Sequence, residues 1–334
     1  ITARTEFYTH PTALPTVEQS SIKLDLHRRD FTINTLALRL DGSHYGKLYD
    51  YWGGLNDLRE KRVRVLHSLS FVDDPTRMLR AVRFEQRFNF NIEARTEELL
   101  HQALSMLGRI SGDRIRHELD HILDEEQRVT MLARLHTLGL LAAIHPAMRW
   151  DAQIEKRFVA IGRHPLPYNQ ELPRELTSEL SQRRLAYMVW MIGLEESQVQ
   201  EALNRLKYPA AQAHQILTAC RLWGSLHELP KLTPSGVARR LGEVGVLPIY
   251  ASCISADDRQ VCSVLVEYIT RWRKINPTIS GYDLQKRGLA PGPVYKHILG
   301  ALKDAWLDGE VTSIEEETAL FEQLLRDSQS GQIH

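Results

Sequence analysis

The sequence predicts an α+β chain: a small mixed α/β unit followed by a long, almost wholly helical region. Three observations carry this. The first 66 residues switch between short strand-like runs and glycine turns. From Ser70 onward apolar residues recur at helical spacing. No fixed-period repeat runs through the helices, which disfavours a solenoid.

Taken in order, Ile1–Tyr8 carries enough Thr, Phe and Tyr to read as a strand, and Pro11–Ser21 as a loop. Leu24–Leu40 reads as one helix, with Leu24, Phe31, Ile33, Leu36, Ala37 and Leu40 as its apolar residues, stopped by Asp41-Gly42. Lys47–Tyr51 is a second strand, ended by Gly53-Gly54; Asn56–Glu60 is a short helix and Val63–Leu66 a third strand. Helices follow at Asp74–Phe88, Glu93–Leu107, Asp113–Asp124 and Gln127–Leu141, the first broken at Asn89 and the third entered from Ser111-Gly112. A proline-bearing loop at His164–Pro173 precedes a helix at Ser178–Leu194. Pro230, Pro234, Pro277 and Ser280-Gly281 punctuate the remainder. The last unit begins near Thr278 and closes on an acidic amphipathic helix, Ser313–Asp327.

Composition narrows the function classes. Forty-two basic and 42 acidic side chains cancel, which argues against a protein that coats nucleic acid through bulk charge and leaves room only for a local basic cleft. A net charge of zero with 25% charged residues argues against disorder. Cys220, Cys253 and Cys262 are odd in number and lack metal-type spacing, so a reducing compartment is expected rather than a disulfide framework. The longest apolar stretch, Leu138 to Ile144, is far short of the ~20 residues a membrane span needs. No signal peptide is read, and a cytoplasmic location is expected.

Chemistry-bearing residues gather in three places. Arg28-Arg29-Asp30-Phe31-Thr32-Ile33-Asn34 is the densest polar cluster. Paired guanidinium groups can grip several phosphate oxygens, and Asn34 lies four residues after Asp30. Asp74, Arg77, Arg80 and Arg83 recur at three-residue spacing and form a polar stripe, with Asp74 an N-cap and Pro75 the first helical residue. An acid and an arginine one turn apart offer the acceptor and donors that a base edge demands. Between them, Asp50 to Leu58 is a glycine turn leading a strand into a helix. Each cluster alone also fits a plain structural reading: a local Arg–Asp pair, a capped helix with surface arginines, a tight turn. His117-Glu118-Leu119-Asp120-His121 matches the zinc-peptidase pattern H-E-x-x-H, but Asp120 is charged where such helices are apolar and no third ligand follows; a solvated helix face is expected. The Gly288 to Pro293 turn leads into a helix whose amides could hold phosphate or simply restart the chain.

The order and spacing of the three clusters resemble the class II tRNA nucleotidyltransferase and bacterial poly(A) polymerase family. The match runs through Asp25-Leu-His-Arg-Arg-Asp-Phe-Thr-Ile-Asn34, then Asp50-x-x-Gly-Gly-x-x-Asp-Leu58, then Asp73-Asp-Pro-Thr-Arg-Met-Leu-Arg-Ala-Val-Arg-Phe84. The similarity is close over residues 1–125 and weaker to the end. It implies part of a polymerase-β-like head at 1–66, a helical neck with the nucleotide-selecting motif at 67–126, a helical body at 127–232 and a tRNA-binding tail at 233–334. It implies that Arg29 meets the triphosphate, Arg28 belongs to the same nucleotide-binding set, Asp30 and Asn34 shape the pocket, Asp74 and Arg77 pair with the incoming base, and Arg80 and Arg83 support base and phosphates. It further implies ATP and CTP as substrates, Mg²⁺ as cofactor, the tRNA 3′ acceptor end as partner, and addition of A or CCA. Poly(A) synthesis and a non-catalytic nucleotide- or RNA-binding module are the alternatives.

Two departures matter. The family's Asp-x-Asp metal carboxylates, and the Gly-Gly turn with Arg-Asp before them, are not in this sequence, so no catalytic residue is assigned. Ile1 opens the chain inside a strand-like run; the chain is therefore expected to be part of a longer protein and inactive alone. Thr35 stands where the family has Ala, and Asp73 where it has Glu.

Overall fold

A computed structural model describes residues 4–7, 16–19, 21–161, 176 and 178–329. Strand β1 (Arg4–Phe7) pairs antiparallel with β2 (Thr16–Gln19), with Arg4 opposite Gln19 and Phe7 opposite Thr16. The strand at β2 lies inside the expected loop Pro11–Ser21; Thr16 and Val17 are β-branched and suit a pleated pair. Helix α1 (Ile22–His27) follows, capped by the Ser21 hydroxyl.

The single helix expected over Leu24–Leu40 does not form. The chain leaves α1 at Arg28, becomes extended at Phe31, makes one 3-10 turn over Thr32–Thr35, and enters strand β3 (Ala37–Leu38). Tertiary contacts override the apolar spacing. Phe31, fully buried, bridges to Val65, and the Thr32 amide donates to the Arg64 carbonyl at 2.9 Å. The run Thr32-Ile33-Asn34-Thr35 is also poor in helix formers.

Strand β3 pairs antiparallel with β4 (Leu48–Tyr49). Helix α2 (Gly54–Arg59) and β5 (Arg62–Val63) complete the small unit. A short α3 (Ser70–Asp73) leads to α4 (Thr76–Phe88), which ends at Asn89 in the left-handed conformation, φ 53°. Strand β6 (Asn91–Ile92), absent from the sequence-based expectation, runs parallel to β5. Then come α5 (Ala94–Ala103), α6 (Gly112–Leu123), α7 (Arg128–Thr137), α8 (Leu140–Ile144) and α9 (Ala152–Ile161). The expected helix Gln127–Leu141 is split by Gly139 at φ 76°. The expected loop His164–Pro173 lies outside the described residues.

Onward lie α10 (Glu179–Met191), α11 (Glu196–Arg205), α12 (Ala210–Gly224), α13 (Pro234–Leu241), α14 (Val246–Ser255) and α15 (Arg259–Thr270). The chain closes with α16 (Gly281–Lys286), α17 (Pro293–Asp308) and α18 (Ile314–Gln329). The α+β class, with strands confined to the first 92 residues among those described, is as the sequence predicts.

Two compact units form: residues 1–159 with 194–214, and residues 160–193 with 215–334. In the first, α4 is the central rod. Met78, Leu79, Ala81 and Val82 are fully buried, and Glu85 turns inward to meet Arg134 of α7 at 2.9 Å. Residues 194–214 are tied to α6 and the segment before it by arginine side chains that donate to backbone carbonyls in both directions. Arg205 donates to the carbonyls of Leu107 and Ile110 at 2.7 and 3.1 Å, and Arg116 to those of Leu206 and Lys207. Gly112 lets the backbones meet: a Cβ there would lie 1.8 Å from the Arg205 carbonyl oxygen.

In the second unit, Leu284, Ile298, Leu302, Phe321 and Leu325 form a small core. The acidic helix α18 is not all surface. Glu317 is fully buried and accepts hydrogen bonds from the Thr278 amide and hydroxyl and the Ile279 amide. Among the described residues no helix is long and apolar enough to cross a membrane.

The Gly112 contact gives a direct test. Gly112→Ala is expected to destabilise the chain by about 2–3 kcal/mol through backbone overpacking. Gly108→Ala, whose added Cβ meets nothing within 4 Å, is expected to stay within about 0.5 kcal/mol of the parent. Urea unfolding of both variants checks this.

Candidate nucleotide-binding site

The turn after α1 is an ion-pair cluster. Asp25, nearly buried, accepts from Arg28 at 3.0 and 3.1 Å and faces Arg29 at 3.5 Å. The Arg29 side chain stays 42% exposed while donating to the Asn34 carbonyl at 3.2 Å. Two guanidinium groups are thus held at a surface turn by one carboxylate.

Asp30 is buried and fully engaged. Its Oδ1 accepts from the Phe31 amide at 3.0 Å and from Asn34 Nδ2 at 2.7 Å. Its Oδ2 accepts from Arg80 Nε at 2.8 Å and Nη2 at 2.5 Å. Burial opposes ionisation, but the Arg80 charge and these hydrogen bonds outweigh it and hold the carboxyl below the ordinary aspartate range. The Asp30–Asn34 proximity expected from helical spacing is met, but by a 3-10 turn.

The arginine stripe of α4 is not a surface feature. Arg77 is 7% exposed and donates to the Ser70 hydroxyl at 2.7 Å and the Arg28 carbonyl at 2.8 Å. Arg80 joins Asp30 to Glu118 of α6, and Arg83 faces Glu118 at 3.6 Å. Burial lowers the Arg83 pKa against the attraction of Glu118, while for Arg80 the two carboxylates overcome burial and raise it.

Helix α4 starts one residue later than expected, with Pro75 rather than Asp74 at the N-cap, but the Asp74 carboxylate still serves its first turn: its Oδ1 accepts from the Thr76 amide at 3.1 Å and hydroxyl at 2.6 Å. The same oxygen accepts from Arg114 Nη2 at 2.8 Å. Oδ2 has no hydrogen-bond partner among the described residues, and the side chain is 23% exposed. One carboxylate oxygen is therefore locked and the other faces outward.

The Gly53-Gly54 turn fastens this assembly to the small unit. Gly53 adopts φ 75°, and the Asp50 carboxylate caps α2 through the amides of Gly54 and Leu55 at 2.8 and 3.0 Å. A Cβ on Gly54 would lie 2.2 Å from the Thr32 carbonyl. The Thr32 hydroxyl donates to Asp57 at 2.5 Å, and Arg64 holds the same carboxylate oxygen at 2.8 Å.

The structure thus gathers Arg28, Arg29, Asp30 and Asn34 with Arg77 and Arg80, and reaches Asp74 through Arg77's own turn of α4. Arg83 lies farther along α4, facing Glu118. Sequence reasoning missed Arg114 and Ser70, and it named Glu118 and Asp57 only inside motifs, without their arginine partners. Arg114 and Glu118 sit one turn apart on α6, a signal that a helix-face reading of the H-E-x-x-H segment could have raised. Glu118 is turned inward to the arginines, and His117 and His121 are exposed with ring nitrogens 3.2 Å apart.

The described carboxylates do not fit a Mg²⁺ site. Asp25, Asp30 and Asp57 are each committed to arginine, and among the described residues no three His, Cys, Asp or Glu side chains converge to hold a metal.

Comparison with known proteins agrees with fold and motif order. Residues 1–64 match the poly A polymerase head domain, and residues 89–150 the probable RNA and SrmB-binding site of polymerase A. An A-adding tRNA nucleotidyltransferase of Geobacter sulfurreducens is 35% identical over 94% of this chain and 36% of its own length. One from Halalkalibacterium halodurans is 30% identical over 90% of this chain and 67% of its own. A solved CCA-adding enzyme, apo form II, has a TM-score of 0.80 at 29% identity, covering 98% of this chain and 76% of that one. The Thermotoga maritima CCA-adding enzyme complexed with tRNA has a TM-score of 0.72 at 29% identity over 92% of this chain and 74% of that one.

Fold and motif order define the class, part of a nucleotidyltransferase head joined to a helical region. The chain belongs to the tRNA nucleotidyltransferase and poly(A) polymerase family. It spans about a third of the Geobacter relative and two thirds of the Halalkalibacterium one.

The Asp30 environment predicts an acid response. Its folded pKa is depressed, so its contribution is fully present above about pH 4, the unfolded value, and is lost as pH falls through the lower folded value. Asp30→Asn is expected to cost about 1–3 kcal/mol at pH 7 and to flatten the loss of stability below pH 4. Urea midpoints at pH 7 and pH 3 test both.

Proposed function

We propose that the intact protein is a template-independent nucleotidyltransferase that adds A to the 3′ end of tRNA, and that this chain supplies its nucleotide-selecting and RNA-holding parts. The carrying observation is the arrangement of Asp74 and Arg77. The Asp74 Oδ2 has no hydrogen-bond partner among the described residues, while Oδ1 is locked, and the Arg77 guanidinium lies in the adjoining turn of α4, pinned by Ser70 and the Arg28 carbonyl. A carboxylate only accepts and a guanidinium only donates. The pair suits bases that present an exocyclic amine beside a ring nitrogen acceptor, which are A and C. G and U present the reverse order, a carbonyl where A and C carry the amine and an N–H where they carry the ring nitrogen, so the same placement sets acceptor against acceptor and donor against donor. Arg29, exposed on the turn after α1, is placed for triphosphate oxygens, with Arg28 beside it. Asp30, Asn34, Arg80 and Arg83 act by holding this turn and α4 in register.

The A-adding names of the first relatives favour A over CCA, and tRNA as partner follows the name of the Thermotoga complex. On this reading residues 1–66 belong to the head, 67–126 to the neck, 127–232 to the body and 233–334 to the tail. ATP, and CTP in a CCA-adding variant, are the substrates. Mg²⁺ is expected on carboxylates other than those described. The same reading places the protein in the cytoplasm, where tRNA ends are built.

Nucleotide binding by this chain tests the base readout. ATP and CTP are expected to bind more tightly than GTP and UTP. Arg77→Ala is expected to cut the ATP-over-GTP preference by about tenfold to a hundredfold, the worth of one or two charged hydrogen bonds, while tRNA affinity is held. Arg114→Ala, which frees the Asp74 carboxylate, is expected to cut the preference less. Calorimetric titration of the four triphosphates and filter binding of tRNA read both. A fall in tRNA affinity with unchanged selection would defeat this assignment. Single-nucleotide incorporation by a polypeptide that carries the Asp-x-Asp carboxylates tests the activity itself, and C uptake would exclude A-only addition.

A further inference from the structure

Cys253 and Cys262 lie on neighbouring antiparallel helices of the second unit, near the C-terminus of α14 and in the first turns of α15. Their sulfur atoms are 3.0 Å apart, and the Cys253 Sγ also reaches the Cys262 carbonyl at 3.9 Å. A disulfide needs about 2.0 Å between sulfurs, so closure asks the two sulfurs to approach by about 1 Å. Cys253 is buried, whereas Cys262 is partly exposed. One thiol is open to a small reagent and the other waits behind it. Cys220 lies on a different helix, its sulfur directed to the Met191 carbonyl at 3.6 Å.

We propose that Cys253 and Cys262 are a reversible two-electron modification site, closing to an intramolecular disulfide when a hydroperoxide reaches Cys262. The Cys262 thiolate attacks a peroxide oxygen. A sulfur–oxygen bond forms, the oxygen–oxygen bond breaks, and the departing oxygen takes a proton. The Cys253 sulfur then attacks the Cys262 sulfur. The sulfur–sulfur bond forms, the sulfur–oxygen bond breaks, and hydroxide leaves with the Cys253 proton as water. Two thiols are oxidised by two electrons, and hydrogen peroxide is reduced to two waters.

Local chemistry assigns the roles. A hydrogen bond from Cys253 favours the Cys262 thiolate and lowers its pKa, while Cys253 is pushed well up by that same hydrogen bond and by burial. Cys262 also sits at the amide-rich end of α15, where negative charge is favoured, and Cys253 near the carbonyl end of α14, where it is not. The thiol that meets solvent is therefore the better nucleophile, and the buried one is the resolving partner. Because the two helices are joined by only three residues, the bond forms within one helical hairpin.

Thiol counting on the full chain tests this. The reduced protein carries three titratable thiols. After a few equivalents of hydrogen peroxide and a denaturing quench, one thiol is expected, with dithiothreitol restoring three. Arg259 lies between the two cysteines, so trypsin separates them and a linked pair of peptides is diagnostic. Cys220→Ser is expected to fall from two thiols to none, which keeps the test open if a variant of the buried Cys253 misfolds. Three thiols persisting, a linkage that includes Cys220, or Cys262 running to sulfinic acid while Cys253 stays a thiol would each overturn the proposal.

Discussion

The buried Asp30–Arg80 pair is the contact on which the rest of the site depends. It joins the turn after α1 to the middle of α4, fifty residues apart in sequence, through two hydrogen bonds to one carboxylate oxygen. A buried ion pair is no automatic source of stability, because both charges lose water. Here the remaining hydrogen-bonding capacity is filled. Asn34 and the Phe31 amide take the other Asp30 oxygen, and Glu118 balances Arg80 on its far side. The pair is costly to break by removing Arg80, since Asp30 left alone would be an uncompensated buried charge, whereas Arg80 is 30% exposed and keeps Glu118. That penalty locks the relative position of two segments whose other contacts, such as Arg77 to the Arg28 carbonyl, could not do so alone.

Such locking is what a protein-only reading of a base requires. A nucleic-acid template presents donors and acceptors on a rigid ring. Side chains must gain equal rigidity from their surroundings. Asp74 obtains it by giving one oxygen to Thr76 and Arg114, and Arg77 by giving its nitrogens to Ser70 and a carbonyl. The close approach at Gly54 extends the same rigidity into the small α/β unit, because the Thr32 carbonyl leaves no room for a side chain there. The proposed selection of A and C rests on this support as much as on the two reading groups.

Local sequence rules served the helical region well and the head segment poorly, for an identifiable reason. Helices such as α4 to α7 carry their own periodicity, so apolar spacing and glycine or asparagine stops place them within a few residues. Leu24–Leu40 carries a similar apolar spacing but is pulled apart by Phe31 pairing with Val65 and by Thr32 bonding to Arg64 and Asp57. The H-E-x-x-H segment shows the converse. Its helix forms as read, but the partner of Glu118 lies on another helix, where no local pattern could point to it.

The sequence by itself determined the fold class, helices such as α4, α5, α6 and α18, and the three motifs whose order marks the family, because those depend on residues near one another in the chain. Composition determined less than it suggested: a net charge of zero conceals arginines concentrated around one turn and one helix. Only the tertiary structure decided that Arg77, Arg80 and Arg83 of α4 turn toward Ser70, Asp30 and Glu118, that Arg114 holds Asp74, and that Glu317 of an acidic helix is buried. These are pairings of groups far apart in sequence. Their strength comes from desolvation and exact distance, which exist only once the chain has closed upon itself.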